Sequence, residues 1–185
     1  LAESRYGRLP APDSLFMFLL RSGVNGAFID SGRVYLTADG TTIETGHVSV
    51  SAEGPSCPCG ARGCLEAYLT GLDRPNLESG GWLFEGLGPA VAAGDPAAEA
   101  TLAEAARYLA SAAQSVSRLF KPKGFLVVAG SEAIAAALSR LLRARLAEAH
   151  SGFDREEPAF TAAVYDPVLA QRGAADLVLD EFLGA

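Results

Sequence analysis

Cysteine is nearly absent from this chain: three of 185 residues, all between Cys57 and Cys64, alongside two histidines, one methionine and one tryptophan. Basic residues are also in deficit, with 15 Lys and Arg against 22 Asp and Glu and a formal net charge of −7. Nucleic-acid affinity depends on Lys and Arg displacing counterions from phosphates, so this balance excludes backbone binding by the segment itself. Any DNA contact must come from elsewhere. Long apolar runs are missing too. None approaches a bilayer-spanning helix, and the 185 residues contain no basic-then-apolar signal-peptide pattern. Repeats, heptads and low-complexity tails are likewise lacking. What remains is a chain with 49% hydrophobic residues, enough to bury one substantial core, and one domain is expected.

The scarce residues are concentrated in one place. Between Gly46 and Glu66 the sequence G-H-V-S-V-S-A-E-G-P-S-C-P-C-G-A-R-G-C-L-E brings together His47, Cys57, Cys59 and Cys64. Three thiolates and one imidazole suit tetrahedral Zn²⁺ better than Mg²⁺ or Ca²⁺, and four protein ligands leave no position for a catalytic water. A structural ion is therefore expected, fixing loop 47–64, with Gly54, Gly60 and Gly63 permitting tight turns around it. Two other readings stand beside it. A disulfide would join Cys57 or Cys59 to Cys64 and strand the third thiol, and three unrelated free thiols would leave the clustering unexplained. Reduced, metal-compatible cysteines point to the cytoplasm.

Hydrophobic patterning divides the chain into strands followed by strand–helix alternation. Leu15–Leu20, Gly26–Asp30 and Arg33–Thr37 read as strands, with Asp30-Ser31-Gly32-Arg33 as a tight turn. Leu65–Leu72 reads as a helix that begins just after Cys64. After a Gly-rich stretch, Leu77–Gly88, the Asp95-Pro96 pair supplies an N-cap with proline at the first helical position. Leu102, Ala105, Ala106, Leu109, Ala112, Ala113, Val116 and Leu119 then keep one apolar face, and Pro122 ends the helix. Phe125–Ala129 is a continuously apolar strand, buried on both faces. Ser131 caps a helix carrying Ile134, Leu138, Leu141, Leu142 and Leu146; Phe160–Tyr165 is a further strand; Asp166-Pro167 starts a last helix to about Phe182. This order predicts an α/β fold with a mixed sheet, antiparallel strands continued by parallel ones, and helices packed against it. Ala105, Ala112 and Ala113 are small enough for either helix-on-sheet packing or approach of a second subunit. His150, with no Cys or second His nearby in sequence, reads as a solvated or dipole-facing residue.

Glu44-Thr45-Gly46-His47, then C-P-C-G-A-R-G-C, then Leu65-Glu66-Ala67 resembles the zinc and sugar signature of the ROK family of sugar kinases and sugar-responsive repressors. Leu1 to Gly7 resembles the helix after that family's catalytic Asn-Asp pair, and Leu119 to Gly130 its adenosine-side strand and turn. The resemblance implies an actin-like, ribonuclease-H-like lobe spanning 1–185, the C-terminal part of a longer chain whose catalytic residues precede Leu1. It implies sugar contacts at Glu44, His47 and Glu66, with His47 also on the zinc. An ionised carboxylate accepts from two vicinal hydroxyls at once, which selects ring stereochemistry. Taken alone, Glu66 at the start of a helix is equally placed to favour the helix dipole.

The resemblance fails in one loop. Where the family's kinases carry a Gly-Thr-Gly-type phosphate loop, this chain has Arg21-Ser22-Gly23-Val24-Asn25, bulkier than a phosphate cradle permits, and as a bare pattern also a hairpin turn. The expectation is a zinc-stabilised, sugar-binding effector lobe of a ROK-type transcriptional regulator without kinase activity, homo-oligomeric, reaching DNA through an N-terminal helix-turn-helix segment. The alternatives are an ATP-dependent hexose or amino-sugar kinase, and a zinc-stabilised scaffold that binds neither sugar nor nucleotide.

Overall fold

The computed structural model describes residues 13–73, 81–149 and 157–183, with 177–183 as helix backbone. An unbroken apolar run builds β1 (Ser14–Leu20), which pairs with β2 (Val24–Asp30) as an antiparallel hairpin, Leu20 opposite Val24 and Ser14 opposite Asp30. The hairpin reading of the Arg21–Gly23 loop thus holds as local structure. A short β3 (Arg33–Val34) continues the antiparallel side against β2. On the other side of β1 lie β4 (Gly124–Ala129) and β5 (Ala159–Val164), both parallel, giving the order β3-β2-β1-β4-β5. This is the mixed sheet expected from the pattern.

The expected strand Arg33–Thr37 is shorter than its composition suggests. Tyr35 still donates to Phe28 O (2.8 Å), but Thr37 turns back on itself, its N–H bonding Thr41 O at 2.8 Å and its hydroxyl engaging Asp39 and Thr41. Polar side chains that bond neighbouring backbone compete with a ladder, and here they end it.

The helices are α1 (Leu65–Leu72), α2 (Gly88–Ala92), α3 (Pro96–Leu119), α4 (Glu132–Ala149) and α5 (Pro167–Leu183). Their starts follow the sequence signals: Asp95 accepts from Ala98 N–H at 2.8 Å, Ser131 Oγ from Ile134 N–H at 3.4 Å, and Asp166 Oδ1 from Val168 N–H at 2.8 Å. Asp95→Ala is expected to lower the free energy of unfolding by about 1 kcal/mol, measured by urea denaturation, because an orphan N–H of α3 loses its acceptor. The Gly-rich stretch does more than connect. It contains a 3₁₀ turn, Glu85–Leu87, and leads directly into α2, an element the sequence reading passed over.

One face of the sheet carries Phe16, Phe18, Leu20, Phe125 and Val127, packed against Leu65 and Leu69 of α1, the apolar stripe of α3, and Ile134, Leu138 and Leu142 of α4. The other face holds Leu15, Ile29, Leu126 and Val128. β4 is therefore buried on both sides, as its unbroken apolar sequence requires. Ala105, Ala112 and Ala113 are fully buried in the core of this chain, which accounts for their size and removes them as a subunit contact. Leu1 to Gly7, residues 77–80 and His150 lie outside the described residues.

Candidate functional site

Loop 48–64 is folded by backbone pairing that gathers its donors. Val50 donates to Gly63 O, Gly63 to Pro55 O and Cys57 to Ala61 O, at 2.8, 2.8 and 2.9 Å, and isolated bridges join Ser49 to Cys64 and Ser56 to Arg62. Two glycines turn the chain with positive φ, Gly60 at 93° and Gly63 at 71°. At Gly63 a Cβ would also lie 1.6 Å from Ser51 O, so no other residue fits. Gly63→Ala is expected to cost about 2–3 kcal/mol of stability and to weaken metal retention, read by thermal unfolding and zinc content.

Among the described residues one group of side chains has metal-ligand character: His47, Cys57, Cys59 and Cys64, whose donor atoms all lie within 4.8 Å of one another. His47 Nδ1 is 3.5 Å from Cys57 Sγ, and Cys59 Sγ is 3.7 Å from Cys64 Sγ. With Zn–S near 2.3 Å and Zn–N near 2.0–2.1 Å, a tetrahedron has S···N and S···S edges of about 3.5 and 3.8 Å, so the donors fit that ion. The cysteines carry no disulfide. Burial, together with the neighbouring sulfurs, pushes the Cys64 thiol up to about 12, whereas the Ala61 backbone and then Cys57 hold exposed Cys59 below the usual thiol range.

The cluster's two ends lead straight to the acids. Glu44 precedes the 3₁₀ turn Thr45–His47, and Cys64 is the N-cap of α1, which carries Glu66 in its first turn. A metal held by His47 and Cys64 would tie these two elements together. Glu66 reaches away from its helix: Oε2 accepts the Val24 N–H at 2.9 Å, across 42 residues of sequence. It lies between two glycines, since a Cβ on Gly23 would be 2.3 Å from Oε2 and one on Gly46 3.2 Å. Stabilisation by the helix dipole is therefore not its whole role. Behind α1, Tyr68 stacks on Tyr108 of α3 with ring centroids 3.9 Å apart, anchoring the helix to the core.

The Arg21–Gly23 turn is exposed at Arg21 and Ser22, and Arg21 is its braced residue. Arg21 N–H donates to Gly23 O (3.0 Å), Arg21 O accepts from Leu83 N–H (3.1 Å), and the guanidinium lies 5.7 Å from the centre of the Trp82 ring. Trp82 in turn packs on Gly130, where a Cβ would be 2.6 Å from the ring, and against Tyr165 at 4.9 Å. This assembly stands at the carboxyl ends of β1, β4 and β5. Sequence reasoning missed it, although a lone tryptophan among glycines, Gly80-Gly81-Trp82, was a signal that could have found it.

The ROK family model matches residues 1–181. The chain belongs to the ROK family. Glucokinase of Thermotoga maritima is 39% identical to it over 70 residues, 38% of this chain and 22% of that protein. The xylose repressor of Bacillus subtilis is 30% identical over 68 residues, 37% of this chain and 18% of that protein. In structure, a ROK family glucokinase from Streptomyces griseus in complex with glucose and AMPPNP superposes with a TM-score of 0.74 at 23% identity, covering 95% of this chain and 64% of that one. The fold is thus that of the ROK proteins' actin-like ATPase architecture. The chain spans less than two thirds of the length of the relatives and structures it matches. No helix among the described residues is long and apolar enough to cross a membrane. A glucokinase and a xylose repressor thus both stand among this chain's relatives.

Proposed function

We propose that this chain is the zinc-stabilised, sugar-binding effector lobe of a ROK transcriptional regulator, without kinase activity. Zinc held by His47, Cys57, Cys59 and Cys64 supplies no chemistry to a substrate; it fixes the loop that presents His47 beside α1. With Nδ1 turned to the metal, His47 keeps its proton on Nε2 as a donor, while Glu44 and Glu66 accept from sugar hydroxyls. Sugar binding biases the arrangement of lobes and subunits in a homo-oligomer of cytoplasmic chains. This alters DNA affinity through a helix-turn-helix segment preceding Leu1, and it requires the sugar to bind the two arrangements unequally.

The observation that carries this reading over kinase activity is the state of the Arg21–Gly23 turn. A phosphate cradle needs free backbone N–H donors. Here the Arg21 N–H is taken by Gly23 O and the Val24 N–H by Glu66, which leaves the turn only the Ser22 and Gly23 N–H groups beside a bulky Arg21 packed on Trp82. The likeness to glucokinases favours the second reading, an ATP-dependent hexose or amino-sugar kinase that uses Ser22 and Gly23 at the phosphate. A coupled assay of ADP formation by the full-length protein, across hexoses and amino sugars, separates them. The regulator gives no sugar-dependent ADP; sustained turnover with any sugar of the panel establishes the kinase.

A further inference from the structure

We propose that the turn Arg21–Val24, whose sequence reads as a reduced phosphate loop, instead sets the position of the sugar carboxylate, with Gly23 as a positioning residue for Glu66. The proposal rests on sugar recognition by Glu44, His47 and Glu66.

Gly23 is not among the glycines with positive φ, so its backbone conformation does not call for glycine. Space does. A Cβ there would lie 2.3 Å from Glu66 Oε2 and 3.0 Å from Cδ, inside the volume the carboxylate occupies. On the far side Gly46 leaves room for the same oxygen, and a Cβ on it would also meet Val24 O at 2.3 Å. The carboxylate therefore sits in a slot between two glycines, with Oε2 committed to the Val24 N–H. Once Oε2 is fixed, the plane of the group and the direction of Oε1 follow, and Oε1 is the oxygen left to meet a ligand.

The slot's wall is itself braced. Leu83 N–H holds Arg21 O, and the Arg21 guanidinium lies over Trp82, which is seated on Gly130 and Tyr165 at the ends of β4 and β5. The turn cannot retreat from an added methyl group without moving Trp82, so the flexible end of Glu66 gives way first. Hydroxyl recognition by a carboxylate is sensitive to displacements of this size, because charge-assisted hydrogen bonds weaken steeply away from their preferred geometry.

The test is a calorimetric double-mutant cycle on the full-length, zinc-loaded protein, using D-glucose and N-acetyl-D-mannosamine as probes. Gly23→Ala is expected to weaken binding of the preferred probe by about tenfold or more, with zinc content unchanged and the protein still folded. Glu66→Asp withdraws the carboxylate by one methylene and weakens binding by itself. Combined with Gly23→Ala it is expected to bind better than the Gly23→Ala protein alone, because the shorter acid no longer meets the new methyl group. Losses that simply multiply, or a Gly23→Ala protein that binds as wild type does, would remove the positioning role and leave sugar binding intact. Wild-type protein that binds neither probe would overturn the sugar reading, and this proposal with it.

Discussion

Cys64→Ser is expected to reduce bound zinc from one ion per chain to near zero and to lower the free energy of unfolding by about 3–5 kcal/mol. Cys64 is fully buried and caps α1, and its sulfur stands 3.7 Å from that of Cys59. Serine is a poor zinc ligand, and three remaining donors do not close a tetrahedral site. Leu65 and Leu69, both fully buried, still hold α1 in the core, so the variant folds, but loop 48–64 loses the ion that fixes it. A chelator should destabilise the wild-type protein by the same amount and leave the variant unaffected. Acidification should release the metal as well, since thiolates and imidazole bind it only without their protons. Metal analysis and denaturant unfolding read these outcomes; a variant that retains one zinc at unchanged stability would show that the four residues are not the ligands.

Glu66→Gln should act the opposite way, sparing the scaffold and removing recognition. The amide oxygen can still accept the Val24 N–H now held at 2.9 Å, so stability should change by less than about 1 kcal/mol and zinc content not at all. The ligand side changes more. A carboxylate only accepts, whereas an amide presents NH₂ where a sugar hydroxyl must donate. Hydrogen bonds to charged groups contribute about 1.5–3 kcal/mol, so sugar affinity should fall on the order of 10–100-fold. Isothermal titration with the sugar that binds wild type decides it. An unchanged dissociation constant would place the sugar elsewhere.

The contrast between these two sites explains what the sequence could and could not disclose. The metal donors are legible because ligand chemistry demands rare residues, and Cys57, Cys59 and Cys64 are the chain's whole complement of cysteine, set among glycines the turns require. The helix starts at Asp95 and Asp166 are legible because capping is local, spanning two or three residues. Glu66 is different. Its contact with Val24 joins residues 42 apart, and no local pattern announces that Gly23 and Gly46 make room for a carboxylate rather than for a turn. The early end of β3 is a third kind of case. Arg33 to Thr37 has strand composition, but Asp39 and Thr41 offer Thr37 polar partners nearer than any ladder. The Trp82 assembly depends on the ends of β1, β4 and β5 meeting in space, which only the sheet order settles.

The turn at Arg21 shows how a departure from a family pattern acquires a physical meaning. In the sequence it is only a loop too bulky for phosphate. In the structure the bulky residue is braced on Trp82, and Gly23, two residues on, lacks the side chain that would fill the place of the Glu66 carboxylate. On the proposed reading, a sugar-binding lobe whose reduced phosphate loop braces the sugar carboxylate acts as a sensor, because occupancy of the site changes binding elsewhere.

That claim is tested most directly by measuring the affinity of the full-length protein for its own promoter DNA while titrating the sugar that binds it. The account predicts a sugar-dependent shift of about 5–150-fold in DNA affinity, the usual range of allosteric coupling, abolished by Glu66→Gln. DNA affinity that stays constant through saturation with sugar would contradict it.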